Sequence, residues 1–196
     1  MKKNILYWPG RGQDTEILKE FRKELSNEYL IDIVNFEYDR GSLEPQRWNI
    51  LQNKYSWWIG ISLGASLEYY SYNYTELKNR PNRITLINPF SSRKILSEER
   101  NFDISSQWNF TPRNSIIKVE KIDLVSSIFD TKIPMYHGID LLDKAISNDK
   151  EIVFVNSNHT IDEKYAQIQL ANILLGKSEE NAEINYCNIY KQFRKK

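Results

Sequence analysis

The chain has 196 residues, 40% of them hydrophobic and 13% aromatic, enough for one well-filled core and a single domain over 1–196. Its 27 basic and 26 acidic residues create no strong field, which argues against nucleic acid or an anionic membrane as partner. One cysteine, Cys187, excludes an internal disulfide, and the apolar run Ile5 to Trp8 is too short for a signal peptide or a membrane span, so a cytoplasmic protein is expected.

Short apolar runs alternate with longer helical patterns. This is the sequence form of an α/β fold, a mostly parallel sheet of about six strands with helices on both faces. The first strand is Ile5 to Trp8, stopped by Pro9-Gly10-Arg11-Gly12. A helix capped by Asp14 follows, with Ile17, Leu18, Phe21 and Leu25 on one face. The second strand is Ile31 to Phe36, and a helical stretch over 45–53 crosses back. The third strand, Ser56 to Ile61, ends at Ser62, and its helix runs through Leu67, Tyr70 and Tyr74 to about Leu77. The fourth strand is Arg83 to Asn88, closed by Pro89.

Residues 90–130 mix charged, serine-rich and aromatic segments with one strand-like run, Ser115 to Val119. Two readings stand side by side: a small cap over the site, or a connecting helix with surface loops. Regularity returns with a fifth strand over Lys132 to Tyr136 and a helix over Leu141 to Ser147. A sixth strand, Glu151 to Val155, leads into Asn156-Ser157-Asn158-His159-Thr160. A long helix ends at Gly176, and the tail 178–196 spaces Tyr186, Ile189, Tyr190 and Phe193 as a further helix. Its aromatic face is a candidate contact for a second copy of the chain.

The segment Trp57-Trp58-Ile59-Gly60-Ile61-Ser62-Leu63-Gly64 carries the chemistry. An apolar strand runs through Gly-x-Ser-x-Gly into a helix, the form of a nucleophile elbow. The turn is so tight that a Cβ two residues before or after the serine would collide with a neighbouring element. A serine hydroxyl needs a base to take its proton. The chain has two histidines, and both follow predicted strands. His159, after the last one, is the favoured base, because the C-terminal ends of parallel strands share one edge; His137 is the alternative. The base in turn needs an acid to fix its tautomer. Asp140, just beyond the predicted fifth strand, is favoured over Asp143. Oxyanion donors are expected from the backbone N–H of Leu63 and of Arg11, with Gly10 and Gly12 allowing close approach. Trp8 and Trp108 could line an acyl pocket, although core packing suits each of them better.

These segments, in the order Trp8-Pro9-Gly10-Arg11-Gly12, Asp39-Arg40-Gly41-Ser42, Gly60 to Gly64, His137-Gly138-Ile139-Asp140 and Asn158-His159-Thr160, span nearly the whole chain. In them the chain resembles a small member of the α/β-hydrolase superfamily, with Pro9 where that family usually has histidine. The resemblance implies hydrolysis of an ester, thioester or amide through an acyl-serine. The substrate expected is a small-molecule or carrier-bound acyl compound, with no cofactor and no metal. Acyl transfer to an amine or alcohol, and a non-catalytic binding role, are the rival functions.

Overall fold

The computed structural model describes residues 2–10, 17–34, 49–101, 110–177 and 187–191. Seven strands form one open sheet in the order β2-β1-β3-β4-β5-β6-β7. They are β1 (Lys3–Trp8), β2 (Tyr29–Ile33), β3 (Trp57–Ile61), β4 (Arg83–Ile87), β5 (Lys121–Ser127), β6 (Asp149–Val155) and β7 (Cys187–Lys191). The first six run parallel, and β7 pairs antiparallel with β6. The helices are α1 (Lys19–Ser26), α2 (Leu63–Ser71), α3 (Arg93–Arg100), α4 (Tyr136–Lys144) and α5 (Lys164–Leu174). No helix among the described residues is long and apolar enough to cross a membrane.

Successive strand residues point to opposite faces, so a doubly covered sheet needs apolar residues at every position. β3, Trp-Trp-Ile-Gly-Ile, meets this demand and is buried throughout. On one face Leu6, Trp8, Trp58, Leu86, Leu124 and Ile152 pack under α2 and α4. On the other, Ile5, Ile59, Ile61, Val125 and Val153 pack against Phe21 and Leu25 of α1 and Leu170 and Leu174 of α5. The chain leaves β1 for β2 on one side and returns to β3 on the other. The crevice at this switch of direction, beside the C-terminal ends of β1 and β3, is where open α/β sheets bind ligands.

Several expectations are corrected. The fifth strand is not Lys132 to Tyr136: Pro134 has no N–H for a ladder, the N–H groups of Lys132 and Ile133 donate to Asp130 in a turn, and Tyr136 opens α4. The true fifth strand, Lys121–Ser127, falls inside 90–130, so that part of the segment is a central strand and not a cap. The continuous apolar run expected of a central strand is interrupted in it by Lys121 and Asp123. Asp123 is fully buried, yet Arg83 Nε lies 2.7 Å and Lys121 Nζ 3.6 Å away, and Thr85 Oγ1 donates to it at 2.7 Å. The Ser115 to Val119 run makes only a single bridge, Lys118 to Ile146. In the tail, Cys187–Lys191 is a strand and not a helix, because pairing with the open edge of β6 outweighs helical spacing. The helix after β3 is also shorter than expected: α2 ends at Ser71 and gives way to a 3₁₀ turn over Tyr72–Tyr74.

Candidate active site

Ser62 follows β3 directly, with φ 56° and ψ −119°, a conformation that costs a non-glycine residue about 1–3 kcal/mol. The neighbours hold it there. Ser62 N–H donates to the carbonyl of Ile87 at 2.8 Å, and its own carbonyl accepts from Ser66 N–H at 3.2 Å. The glycines flanking it are required by space. A Cβ on Gly60 would meet the backbone N of Ala65 at 2.7 Å, and one on Gly64 would meet the carbonyl carbon of Trp8 at 2.6 Å. Strand β3 and the first turn of α2 therefore pack backbone against backbone, and the end of β1 lies against that turn.

His159 sits in the loop after β6. Asn158 shapes this loop: its side-chain oxygen accepts from Thr160 N–H at 3.1 Å and its amide donates to Asp162 at 2.7 Å. Ser157 and Glu163 close the same loop by a side-chain hydrogen bond. The imidazole Nε2 lies 2.9 Å from Ser62 Oγ. Its Nδ1 lies 2.6 Å from Oδ2 of Asp130. The Asp130 and His159 side chains are only 4% and 8% exposed.

Asp130 follows β5 in a turn of its own making, with Oδ1 accepting from Lys132 N–H at 2.7 Å and Ile133 N–H at 2.9 Å. Burial would raise the Asp130 carboxyl, but the hydrogen bonds from His159 and these two N–H groups outweigh it and hold its pKa below the ordinary carboxylate value. An ionised carboxylate only accepts, so the proton of the imidazole resides on Nδ1, and Nε2 is left to accept from the Ser62 hydroxyl.

Asp140 and Asp143, expected as the acid, both lie in α4. Asp140 faces Arg113, with Nε 3.3 Å away, and neither residue bonds to His159. Sequence reasoning missed Asp130 because it took β5 for part of a connecting segment and displaced the strand end by nine residues. The available signal was an acidic residue just beyond an apolar strand-like stretch, Ile122 to Phe129. His137 is wholly buried near the start of α4. Its Nδ1 accepts from Ser91 N–H at 3.3 Å and pairs with Ser91 Oγ at 3.0 Å, and its Nε2 faces Glu99 at 3.4 Å. Burial pushes its pKa down, against the pull of Glu99.

Leu63 opens α2, and its N–H has no helical carbonyl to bond. Arg11 and Trp108 lie outside the described residues, as does Asp14. Trp8 is fully buried in the core, its ring 5.3 Å from that of Trp58. Among the described residues no group of three His, Cys, Asp or Glu side chains is arranged to hold a metal ion.

No family model matches the chain, and no curated protein matches it by sequence. Solved structures do resemble it in shape. The esterase domain of a Rhodothermus marinus protein superposes with a TM-score of 0.68 at 11% identity, over 88% of this chain and 84% of that one. Mouse α/β hydrolase domain-containing protein 10 gives 0.68 at 13% identity, over 90% of both chains. The RedJ thioesterase from the prodiginine pathway of Streptomyces coelicolor gives 0.66 at 12% identity, over 89% and 85%. With six parallel strands in an open sheet between helices, the chain has an α/β-hydrolase-like fold.

Proposed function

We propose that the chain is a serine hydrolase that cleaves an acyl ester or thioester through an acyl-serine intermediate. The observation that carries this reading is the 2.9 Å contact between Ser62 Oγ and His159 Nε2 on a strained elbow, with Asp130 behind the imidazole. As Oγ attacks the acyl carbon, Nε2 takes its proton, and the carbonyl oxygen gathers negative charge. The N–H of Leu63 is one donor for that oxyanion, and Arg11 is the expected second. Collapse breaks the bond to the leaving alkoxide or thiolate, which leaves with the proton from Nε2. Water then attacks the acyl-serine and gives its proton to Nε2, and the proton returns to Oγ as the acid departs. Asp130 stays ionised throughout and stabilises the imidazolium.

The esterase and thioesterase described among the similar structures support the choice of acyl chemistry. Carrier-bound thioesters and small esters are both substrates of this mechanism, because each offers an acyl carbon with a competent leaving group. The test is pre-steady-state kinetics with p-nitrophenyl acetate and an acyl-cysteamine thioester. A burst of one equivalent followed by slower turnover, absent in Ser62→Ala, is the expected result. Equal turnover by the wild type and Ser62→Ala would overturn the reading.

A further inference from the structure

Asn88 stands where β4 ends, in the left-handed region with φ 48°, and is 4% exposed. Its backbone N–H donates to Val125 of β5 at 2.9 Å. In a parallel ladder the next N–H of β5, from Ser127, would then bond to the main-chain carbonyl of Asn88. The side chain takes that bond instead: Oδ1 accepts from Ser127 N–H at 2.8 Å. The amide Nδ2 donates to Ser127 Oγ at 2.9 Å and to the main-chain carbonyl of His159 at 2.8 Å. The orientation of the amide is unambiguous, since a backbone N–H can only face its oxygen and a backbone carbonyl only its nitrogen.

One buried side chain therefore grips both loops of the proposed triad. Ser127 is the residue whose carbonyl accepts from Asp130 N–H at 3.2 Å, so its position sets the turn that carries the acid. The bond to the His159 carbonyl sets the height of the imidazole over Ser62. From these contacts we infer that Asn88 is a positioning residue that holds His159 and Asp130 in register with Ser62; its catalytic consequence rests on the serine-hydrolase reading above. Asparagine suits the place because it tolerates positive φ and carries an acceptor and two donors on one short side chain.

Asn88→Gly tests this, because glycine accepts the backbone conformation and removes only the tether. Asn88→Asp is the second variant: it keeps an acceptor for Ser127 N–H and loses both donors. Three readouts apply to the wild type and both variants: the rate of labelling by a fluorophosphonate, kcat and KM on p-nitrophenyl acetate, and the downfield proton resonance of the His159 Nδ1–Asp130 hydrogen bond. Both variants are expected to fold, to label ~10²-fold more slowly and to lose kcat by a similar factor with little change in KM, and to show that resonance shifted or broadened. Wild-type labelling, kcat and resonance in folded Asn88→Gly would overturn the inference. Should the wild type itself fail to label, the hydrolase reading falls, and the resonance alone decides the tether: its loss in Asn88→Gly supports it and its retention overturns it. Should Asn88→Gly not fold, Asn88→Asp decides by the same measures.

Discussion

Asp130 Oδ2 and His159 Nδ1 meet at 2.6 Å across 29 residues of chain, each in the loop that follows its own strand and each with a side chain nearly sealed from water. The contact dictates which nitrogen holds the proton. Asp130→Asn offers the imidazole an amide in place of the carboxylate and removes the charge that stabilises the imidazolium. It is expected to lower kcat by ~10³–10⁴-fold with the fold intact. Asp140→Asn, which gives up a partly exposed ion pair with Arg113, is expected to leave kcat unchanged and to cost about 1 kcal/mol of stability or less. Steady-state kinetics on the two variants side by side separate these outcomes.

The same contact has a pH signature in stability. The Asp130 pKa is lowered in the folded chain, so its contribution is complete above the ordinary carboxylate value and is lost as pH falls through the folded-state value. Urea denaturation between pH 7 and pH 3 is expected to show a shallower decline for Asp130→Asn than for the wild type.

Gly64 sets how closely the elbow can approach β1. A Cβ there would stand 2.6 Å from the Trp8 carbonyl carbon, and a backbone atom cannot move aside as a flexible side chain can. Gly64→Ala is expected to destabilise by ~1–3 kcal/mol. It should also slow acylation by ~10²-fold through displacement of Ser62. Thermal melting together with the rate of serine labelling measures both effects.

Much of this architecture was legible in the sequence, and the failures have physical causes. The elbow could be read because strand, glycines, serine and helix are all local. His159 could be read because β3 and β6 run parallel, which sends their C-terminal ends to one edge of the sheet. β5 was missed because Asp123 lies buried on it. Its compensation comes from Arg83 and Thr85 on β4 as well as from Lys121 on β5, and a pairing of that kind between strands has no local signature. Asp130 was lost with the strand that positions it. The tail misled for a related reason: the open edge of β6, not the helical spacing of Tyr186, Ile189, Tyr190 and Phe193, decides the conformation of 187–191.

Glu68 is a buried acid outside the proposed mechanism. It lies on α2 against Gly60, has no exposed surface, and neither of its carboxyl oxygens has a hydrogen-bond partner among the described residues. Burial, with no opposing charge among the described residues, pushes its pKa well above the ordinary carboxylate value and so favours its neutral form. Its sign is opposite to that of Asp130: the contribution is intact below the unfolded-state value and stability falls as pH rises towards the folded-state value. Glu68→Met, of similar length and without polar atoms, is expected to stabilise by ~1–3 kcal/mol at pH 8 and by less at pH 4. Chemical denaturation at the two pH values checks the difference.

The most direct test of the central claim is the intact mass of the protein after brief treatment with a fluorophosphonate, for the wild type, Ser62→Ala and His159→Ala. One adduct on the wild type, none on Ser62→Ala and slow labelling of His159→Ala is the expected result, since Ser62 reacts only when Nε2 takes its proton. No adduct on folded wild type, or an equal adduct on Ser62→Ala, would contradict it.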